Sequence, residues 1–220
     1  MAIILKLNDI NEQEVGDPRH RVRARTWNRS NLTLPRNATH FGFSTQGQLI
    51  VEAPHTNVKL NDGGFFRVQG EATVSGGRGF ALSVPGARGF TQISGPFSDV
   101  PWVDYLPGGK QNCLIWPAAV SYPTLNTLKM EPRQSQENHA HDSIRINVII
   151  SGSGYCVVEG TIHEIETGDV VIIPANESHL FQTRLQGLSF IAFHPDSDTS
   201  VFSEYRNPMI LKTYGLVRKS

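Results

Sequence analysis

The chain has 220 residues, a length that allows one large domain or two small ones. Twenty Lys and Arg residues balance twenty Asp and Glu residues, so the formal net charge is zero. This balance argues against binding to nucleic acids or to anionic membrane surfaces, because both need an excess of cationic side chains. Hydrophobic residues make up 39% of the chain, which is too apolar for a disordered protein.

The N-terminal sequence carries only a short apolar run with no basic segment before it, and no stretch approaches 18 consecutive apolar residues. We therefore predict neither a secretory signal nor a membrane-spanning helix, and we expect a cytoplasmic protein. The two cysteines, Cys113 and Cys156, are too few for a disulfide framework and agree with that location.

Short β-rich runs recur along the whole chain, separated by glycine-containing turns, and no long segment has a helical period. The runs are Leu49–Ala53, Phe65–Val68, Phe80–Val84, Cys113–Trp116, Arg145–Ile150, Tyr155–Val158, Val170–Ile173 and Leu188–Phe193. Many short strands at such spacing predict an all-β sandwich or barrel. Earlier in the chain, the basic stretch Arg19–Arg25 predicts a strand with its arginines facing solvent, and an anion site is the alternative.

Histidines mark the most informative segment. His139 and His141 are two residues apart, so on an extended strand their side chains would share one face. His179 follows a Gly-Asp turn, an apolar strand and a proline, and a neighbouring strand could bring it to the same face. Three neutral imidazoles form a ligand set that suits iron, zinc, copper or nickel. The alternative is that the pair lies on the surface at the entry of a strand.

The order of this segment resembles the two sequence motifs of the cupin family. The matching positions are His139, His141 and Gly152 in the first motif, and Gly168, Pro174 and His179 in the second. Asn176 stands where the second motif has its second glycine. The resemblance implies a small antiparallel double-stranded β-helix, the cupin or jelly-roll barrel, with a metal site inside it.

One position departs from the family. The glutamate of the first motif is replaced by Arg145, which strand parity places on the inward face with the histidines. Arginine stays protonated and cannot bind a metal, so three histidines would remain as ligands, with Asn147 as an alternative weak oxygen ligand. Three-histidine centres occur among cupin-like dioxygenases, which keeps a metal site open. The alternative is that the metal was lost together with the glutamate.

The N-terminal half looks like a degenerate copy of the same motif. Leu60–Gly70 has its outline, but Thr73 or Val74 stands where the histidine should fall. We therefore predict two tandem barrels, as in a bicupin. Residues 1–100 would form a degenerate cupin-like barrel without a site, and residues 101–220 would form the cupin barrel with the metal site.

Three further residues have open roles at this stage. His194 ends the last apolar run, where it is either a plain strand-end histidine or part of the barrel mouth. Tyr155 and Cys156 follow a glycine-rich break, across which strand parity cannot decide which side chain faces inward.

The resemblance implies a metal-dependent enzyme, and we expect an oxygenase that acts on a small anionic or enolisable organic substrate. A divalent metal would bind His139, His141 and His179, with Fe(II) expected first and Zn, Mn, Ni or Cu as alternatives. Arg145 would hold the anionic group of the substrate. The alternatives are a non-catalytic cupin that binds or senses a small molecule, and a cupin isomerase or lyase. By analogy with cupins, we also expect a homodimer.

Overall fold

The computed structural model describes residues 2–61, 63–86, 92–105, 109–116 and 122–195. Within these ranges the chain has sixteen β-strands, two short 3-10 helices and no α-helix, which confirms the all-β prediction. All eight β-rich runs fall in strands, except that Trp116 lies just beyond the end of its strand. No helix in the described residues is long and apolar enough to cross a membrane.

The strands of the first half, in chain order, are β1 (Ile3–Lys6), β2 (Glu12–Glu14), β3 (Arg23–Asn28), β4 (Leu32–Leu34), β5 (Ala38–Ala53), β6 (Thr56–Leu60), β7 (Phe65–Gln69), β8 (Ala72–Pro85) and β9 (Ile93–Gly95). Those of the second half are β10 (Val103–Asp104), β11 (Gly109–Ile115), β12 (Thr124–Met130), β13 (Arg145–Val158), β14 (Thr161–Glu166), β15 (Asp169–Ile173) and β16 (His179–His194). The 3-10 helices are Leu7–Asp9 and Phe97–Asp99.

The chain divides into two compact units, each with one eight-stranded sheet. Among the described residues, 6–101 form what we call the N-terminal unit, and 2–5 with 102–195 form what we call the histidine unit. The sheet of the N-terminal unit has the order β2-β3-β8-β5-β7-β9, with β4 on β8 and β6 on β5. The sheet of the histidine unit has the order β1-β15-β13-β16-β12-β11-β10, with β14 on β13.

Aromatic and aliphatic side chains fill the core of the N-terminal unit, where the rings of Trp27 and Phe66 lie 6.5 Å apart. The prediction of solvent-facing arginines on Arg19–Arg25 is wrong for Arg25, of which 6% is exposed. Its guanidinium donates to the Ser83 hydroxyl at 2.9 Å and to the Glu12 carboxylate at 2.8 Å. Because these partners satisfy the charge, the strand can bury an arginine.

A second buried polar group, His40, lies beside the same serine. Nε2 of His40 is 2.9 Å from the Pro35 carbonyl and 3.0 Å from the Gly70 carbonyl, and Nδ1 is 2.8 Å from Ser83 Oγ. Because carbonyls only accept, Nε2 carries the proton and Nδ1 accepts from the Ser83 hydroxyl. Burial lowers the pKa of His40 to about 4, so the imidazole is neutral at neutral pH.

The longest strand pairing of the histidine unit joins β13 to β16, and two register shifts interrupt it. One shift lies between Gly152 and Gly154. Gly152 has a φ of +84°, and a Cβ atom there would lie 1.9 Å from the Gly187 carbonyl oxygen. The motif glycine at this position is therefore required for both conformation and space.

The two motif glycines of the histidine unit form a matched pair for mutation. Gly168 also has a positive φ, +94°, but its chain neighbours aside, no described residue has an atom within 4 Å of the position its Cβ would take. We expect Gly168→Ala to lower the free energy of unfolding by about 1–2 kcal/mol from conformation alone. Gly152→Ala should cost about 1–3 kcal/mol more, because the new methyl group meets backbone. Chemical denaturation measures both values, and equal losses would contradict this account.

The buried His40 makes stability depend on pH. Its folded-state pKa is about 4, below the ordinary value of 6.5, so between those pH values the unfolded chain binds more protons. Stability is therefore lost as the pH falls through this window, by about 2 kcal/mol between pH 7 and pH 5 from this group. Urea denaturation of His40→Gln should show a pH dependence smaller by that amount, whereas the control His163→Gln should match the wild type. An unchanged pH dependence in His40→Gln would refute the assignment.

Candidate metal centre

Two backbone hydrogen bonds join the segments that carry the histidines. The amide of His139 donates to the His179 carbonyl at 3.0 Å, and the amide of His179 donates to the His139 carbonyl at 2.7 Å. This pair is an isolated antiparallel bridge that precedes β13 on one side and begins β16 on the other. The expectation that His139 and His141 share the face of a regular strand is therefore wrong, because both come before β13 begins at Arg145.

A turn residue fixes the position of His141. The amide of Asn176 donates to the His141 carbonyl at 2.7 Å, and Asn176 itself has a φ of +63°. Asparagine is one of the few residues besides glycine that adopt this left-handed conformation readily. This explains why Asn176 can stand where the cupin motif has its second glycine.

The three predicted histidines come together. A ligand atom from each of His139, His141 and His179 lies within 4.8 Å of the others. Their ring centroids are 4.5–5.2 Å apart. This grouping is compact enough for one divalent metal ion to contact all three imidazoles.

Hydrogen bonds define which ring nitrogens face the centre. Nδ1 of His139 lies 2.8 Å from the Glu137 carbonyl oxygen, and Nδ1 of His179 lies 2.9 Å from the Glu177 carbonyl oxygen. A carbonyl oxygen can only accept, so in both rings Nδ1 carries the proton and Nε2 keeps its lone pair. Such bonds to the outer nitrogen are the usual way in which proteins orient metal-binding histidines.

Burial keeps these imidazoles neutral. It lowers the pKa of His139, lowers that of His141 well below its ordinary value, and lowers that of His179 to about 3. The charge of Arg145 lowers all three further, and the neighbouring histidines add to this for His141 and His179. Neutral imidazole is the form that binds metals, so the residues present fit a divalent ion without prior loss of protons.

Arg145 lies in the wall of the cavity beside the histidines, and 2% of it is exposed. Its Nη1 donates to the Ser143 carbonyl at 3.0 Å, to the Ser143 hydroxyl at 2.7 Å and to the Ile144 carbonyl at 3.1 Å. The cavity encloses about 20 Å³, which is room for one water molecule. No carboxylate occurs among the described residues that line it, so with neutral imidazoles the formal charge of the wall is that of Arg145.

The structure also places the residues whose roles were open. Asn147 lines the cavity, and its Nδ2 donates to the Val171 carbonyl at 3.4 Å. Tyr155 and Cys156 are not in the lining: the ring of Tyr155 stacks under Arg184 at 4.2 Å, and Cys156 is fully buried in the hydrophobic core. His194, which sequence reasoning left as a plain strand-end histidine or part of the barrel mouth, lines the cavity. Strand parity could have assigned it inward.

That parity is visible along β16. Phe190, Ala192 and His194 alternate along the strand, and all three line the cavity. The rings of His194 and His141 have centroids 6.0 Å apart, and 5% of His194 is exposed. Burial, followed by the charge of Arg145, lowers the pKa of His194 well below its ordinary value.

Comparisons with known proteins agree with this architecture. Residues 128–200 match the family model described as the AraC-like ligand binding domain. No curated protein sequence matches the chain.

Solved structures give the wider match. A salicylate 1,2-dioxygenase mutant from Pseudoaminobacter salicylatoxidans, in complex with gentisate, superposes with a TM-score of 0.65 at 9% identity, over 97% of this chain and 84% of that one. The formate complex of Lactobacillus farciminis oxalate decarboxylase has a TM-score of 0.61 at 13% identity, over 90% of this chain and 88% of that one. A cupin 2 conserved barrel domain protein from Leptotrichia buccalis has a TM-score of 0.61 at 10% identity, over 88% of each chain. The chain therefore has the cupin fold, and the resemblance seen in the sequence is confirmed.

Removal of one imidazole tests the cluster. We expect His141→Ala or His179→Ala to weaken the binding of Co(II) or Zn(II) at least about 100-fold. Loss of a metal ligand should weaken metal binding at least as much as loss of a group that hydrogen-bonds to that ligand. Isothermal titration calorimetry, with the metal ion titrated into the metal-free protein, measures the affinity. His163→Ala, which removes a histidine from the β14 hairpin outside the cavity, is the control. Undiminished binding in both cluster variants would exclude a metal site there.

Proposed function

We propose that this cupin-fold protein is a metal-dependent enzyme that converts a small organic anion at the centre formed by His139, His141 and His179. The observation that carries the proposal is a small cavity with three neutral imidazoles, one buried guanidinium and no carboxylate among its described lining residues. A divalent ion on three imidazoles leaves positions for substrate and supplies Lewis-acid chemistry and, for Fe(II), redox chemistry. We expect Fe(II), with Zn, Mn, Ni or Cu as alternatives.

Charge balance supports an anionic substrate. A divalent ion and Arg145 would share one water-poor cavity, where their repulsion is several kcal/mol at a separation of about 4–6 Å and an effective dielectric constant near 20. An anion between them removes this repulsion and gains charge-assisted hydrogen bonds from the guanidinium. Arg145 therefore has the role of binding the acidic group of the substrate and orienting the rest of the molecule toward the histidines.

The apolar part of the wall supports chemistry away from water. Phe181 and Phe190 stack with ring centroids 4.4 Å apart, and both line the cavity next to Leu128. An apolar wall limits entry of water and strengthens the electrostatic contacts of Arg145. A cavity of about 20 Å³ also favours substrates of few atoms, since larger ones need side chains of the wall to move.

Within the enzyme class, an oxygenase is the first proposal. The fold matches a salicylate 1,2-dioxygenase seen with gentisate and an oxalate decarboxylase seen with formate, both of which hold organic acids. Three histidines without a carboxylate ligand also suit the oxygenases that the cupin resemblance implies. Isomerase or lyase chemistry would instead convert the acid without consumption of O2. The homodimer and the cytoplasmic location stay predictions.

A second candidate function is binding of a small anion as a signal, without catalysis. The match of residues 128–200 to an AraC-like ligand binding domain favours it. Metal content separates the two: about one equivalent of iron, with acid-dependent O2 uptake that chelation abolishes, supports the oxygenase. Protein that binds acids, but that purifies without metal and binds no added metal, supports the sensor.

Arg145→Gln tests the anion-binding role. We expect affinity for acetate and oxalate to fall about 10- to 100-fold, because a charge-assisted hydrogen bond contributes about 1.5–3 kcal/mol. Metal content, measured by elemental analysis, should stay at the wild-type value, since an arginine is no ligand. Arg184→Gln, on an exposed arginine of the same unit, is the matched control. Unchanged acid affinity in Arg145→Gln would refute the role.

A further inference from the structure

His194 is a buried imidazole that makes no hydrogen bond to any residue the structure describes. Both Nδ1 and Nε2 are inaccessible to solvent and lack a partner, while the ring lines the cavity of the histidine cluster. A neutral imidazole has one donor and one acceptor, and a buried polar group without a partner costs about 1–3 kcal/mol. A histidine in this position therefore indicates that something in the cavity hydrogen-bonds to it.

Asn126 presents a second such atom on the same wall. Its Oδ1 is buried and has no donor among the described residues, and the side chain lines the cavity. Across β12 and β16, Thr124 pairs with His194 and Asn126 pairs with Ala192. Asn126 is thus the diagonal neighbour of His194, close enough for both side chains to contact one small group.

The register of the sheet brings Arg145 next to this pair. Ile146 pairs with Phe193 across β13 and β16, so Arg145 and His194 stand one position further along the same two strands. Arg145, His194 and Asn126 therefore lie on three adjacent strands and line one cavity. A cation stands next to an unpaired imidazole and an unpaired amide oxygen.

We infer that His194 and Asn126 form a hydroxyl-binding subsite beside Arg145, and that the ligand is a short 2-hydroxy acid. Its carboxylate contacts the guanidinium, while its hydroxyl accepts from the His194 ring and donates to Asn126 Oδ1. A hydroxyl both accepts and donates, so one such group can satisfy His194 and Asn126 together. Because the cavity of about 20 Å³ holds about one water molecule, the rest of the acid needs side chains of the wall to move. The inference rests on the proposed anion-binding role of Arg145 and specifies the class of acid.

The test compares acids that differ only by the hydroxyl: glycolate against acetate, and lactate against propionate. Calorimetry is done on the metal-free full chain, so that chelation of a metal by the hydroxy acid makes no contribution. We expect the wild type to bind each hydroxy acid about 10-fold more tightly than the matching acid without the hydroxyl, since that acid leaves buried polar groups unpaired. In His194→Phe and Asn126→Ala this preference should fall to about one, with acetate affinity changed less than about twofold.

His163→Phe, outside the cavity, should keep the full preference, and Asn126→Ala tests the subsite alone if His194→Phe fails to fold. A wild-type preference near one overturns the subsite, as does a preference that survives in both variants. A single buried water that bridges His194 and Asn126 would also give a wild-type preference near one. Equal binding of both acids that Arg145→Gln abolishes would refute the subsite and leave the proposed function intact. Binding of neither acid would overturn the subsite.

Discussion

The reciprocal backbone pair between His139 and His179 is the contact on which the candidate centre depends. It joins two segments that are forty positions apart in the sequence, and both residues carry imidazoles of the cluster. Each amide is satisfied by the other residue's carbonyl, at 3.0 Å and 2.7 Å, so the pair needs no longer strand to be stable. The side chains can then converge because two short carbonyl contacts, from Glu137 and Glu177, set the outer nitrogens of both rings.

Burial determines the electrostatics of this centre. It is the largest influence on the pKa of each of the four histidines around the cavity, and it keeps all of them uncharged at neutral pH. Arg145 cannot lose its proton in the same way, because guanidinium remains charged in proteins. The wall therefore combines good ligands for a cation with a fixed positive charge. The anionic ligand proposed above would contact both.

Sequence reasoning could predict the all-β architecture and the three histidines, because short β-rich runs, glycine turns and motif spacing are local properties. It could not predict what tertiary partners decide. Arg25 reads as a surface residue until Glu12 and Ser83 are seen to pair with it. The parity argument for His139 and His141 brought the right residues together for the wrong reason, since a bridge and the Asn176 turn replace the expected strand. Strand parity could have placed His194 inward, but a lone histidine at a strand end gives no sign that its buried ring nitrogens find no partner among the described residues.

The placement of β1 has a consequence for biosynthesis. This strand pairs with β15, and its neighbourhood contributes Ala2 and Ile4 to the core of the histidine unit. The ribosome makes these residues before their partners in β15, which lie more than 160 positions later in the sequence. During that interval the N-terminal segment has apolar side chains without their final contacts, and closure of so long a loop is slow. A fragment that begins at residue 102 would expose the edge of β15, where a neighbouring copy could pair instead.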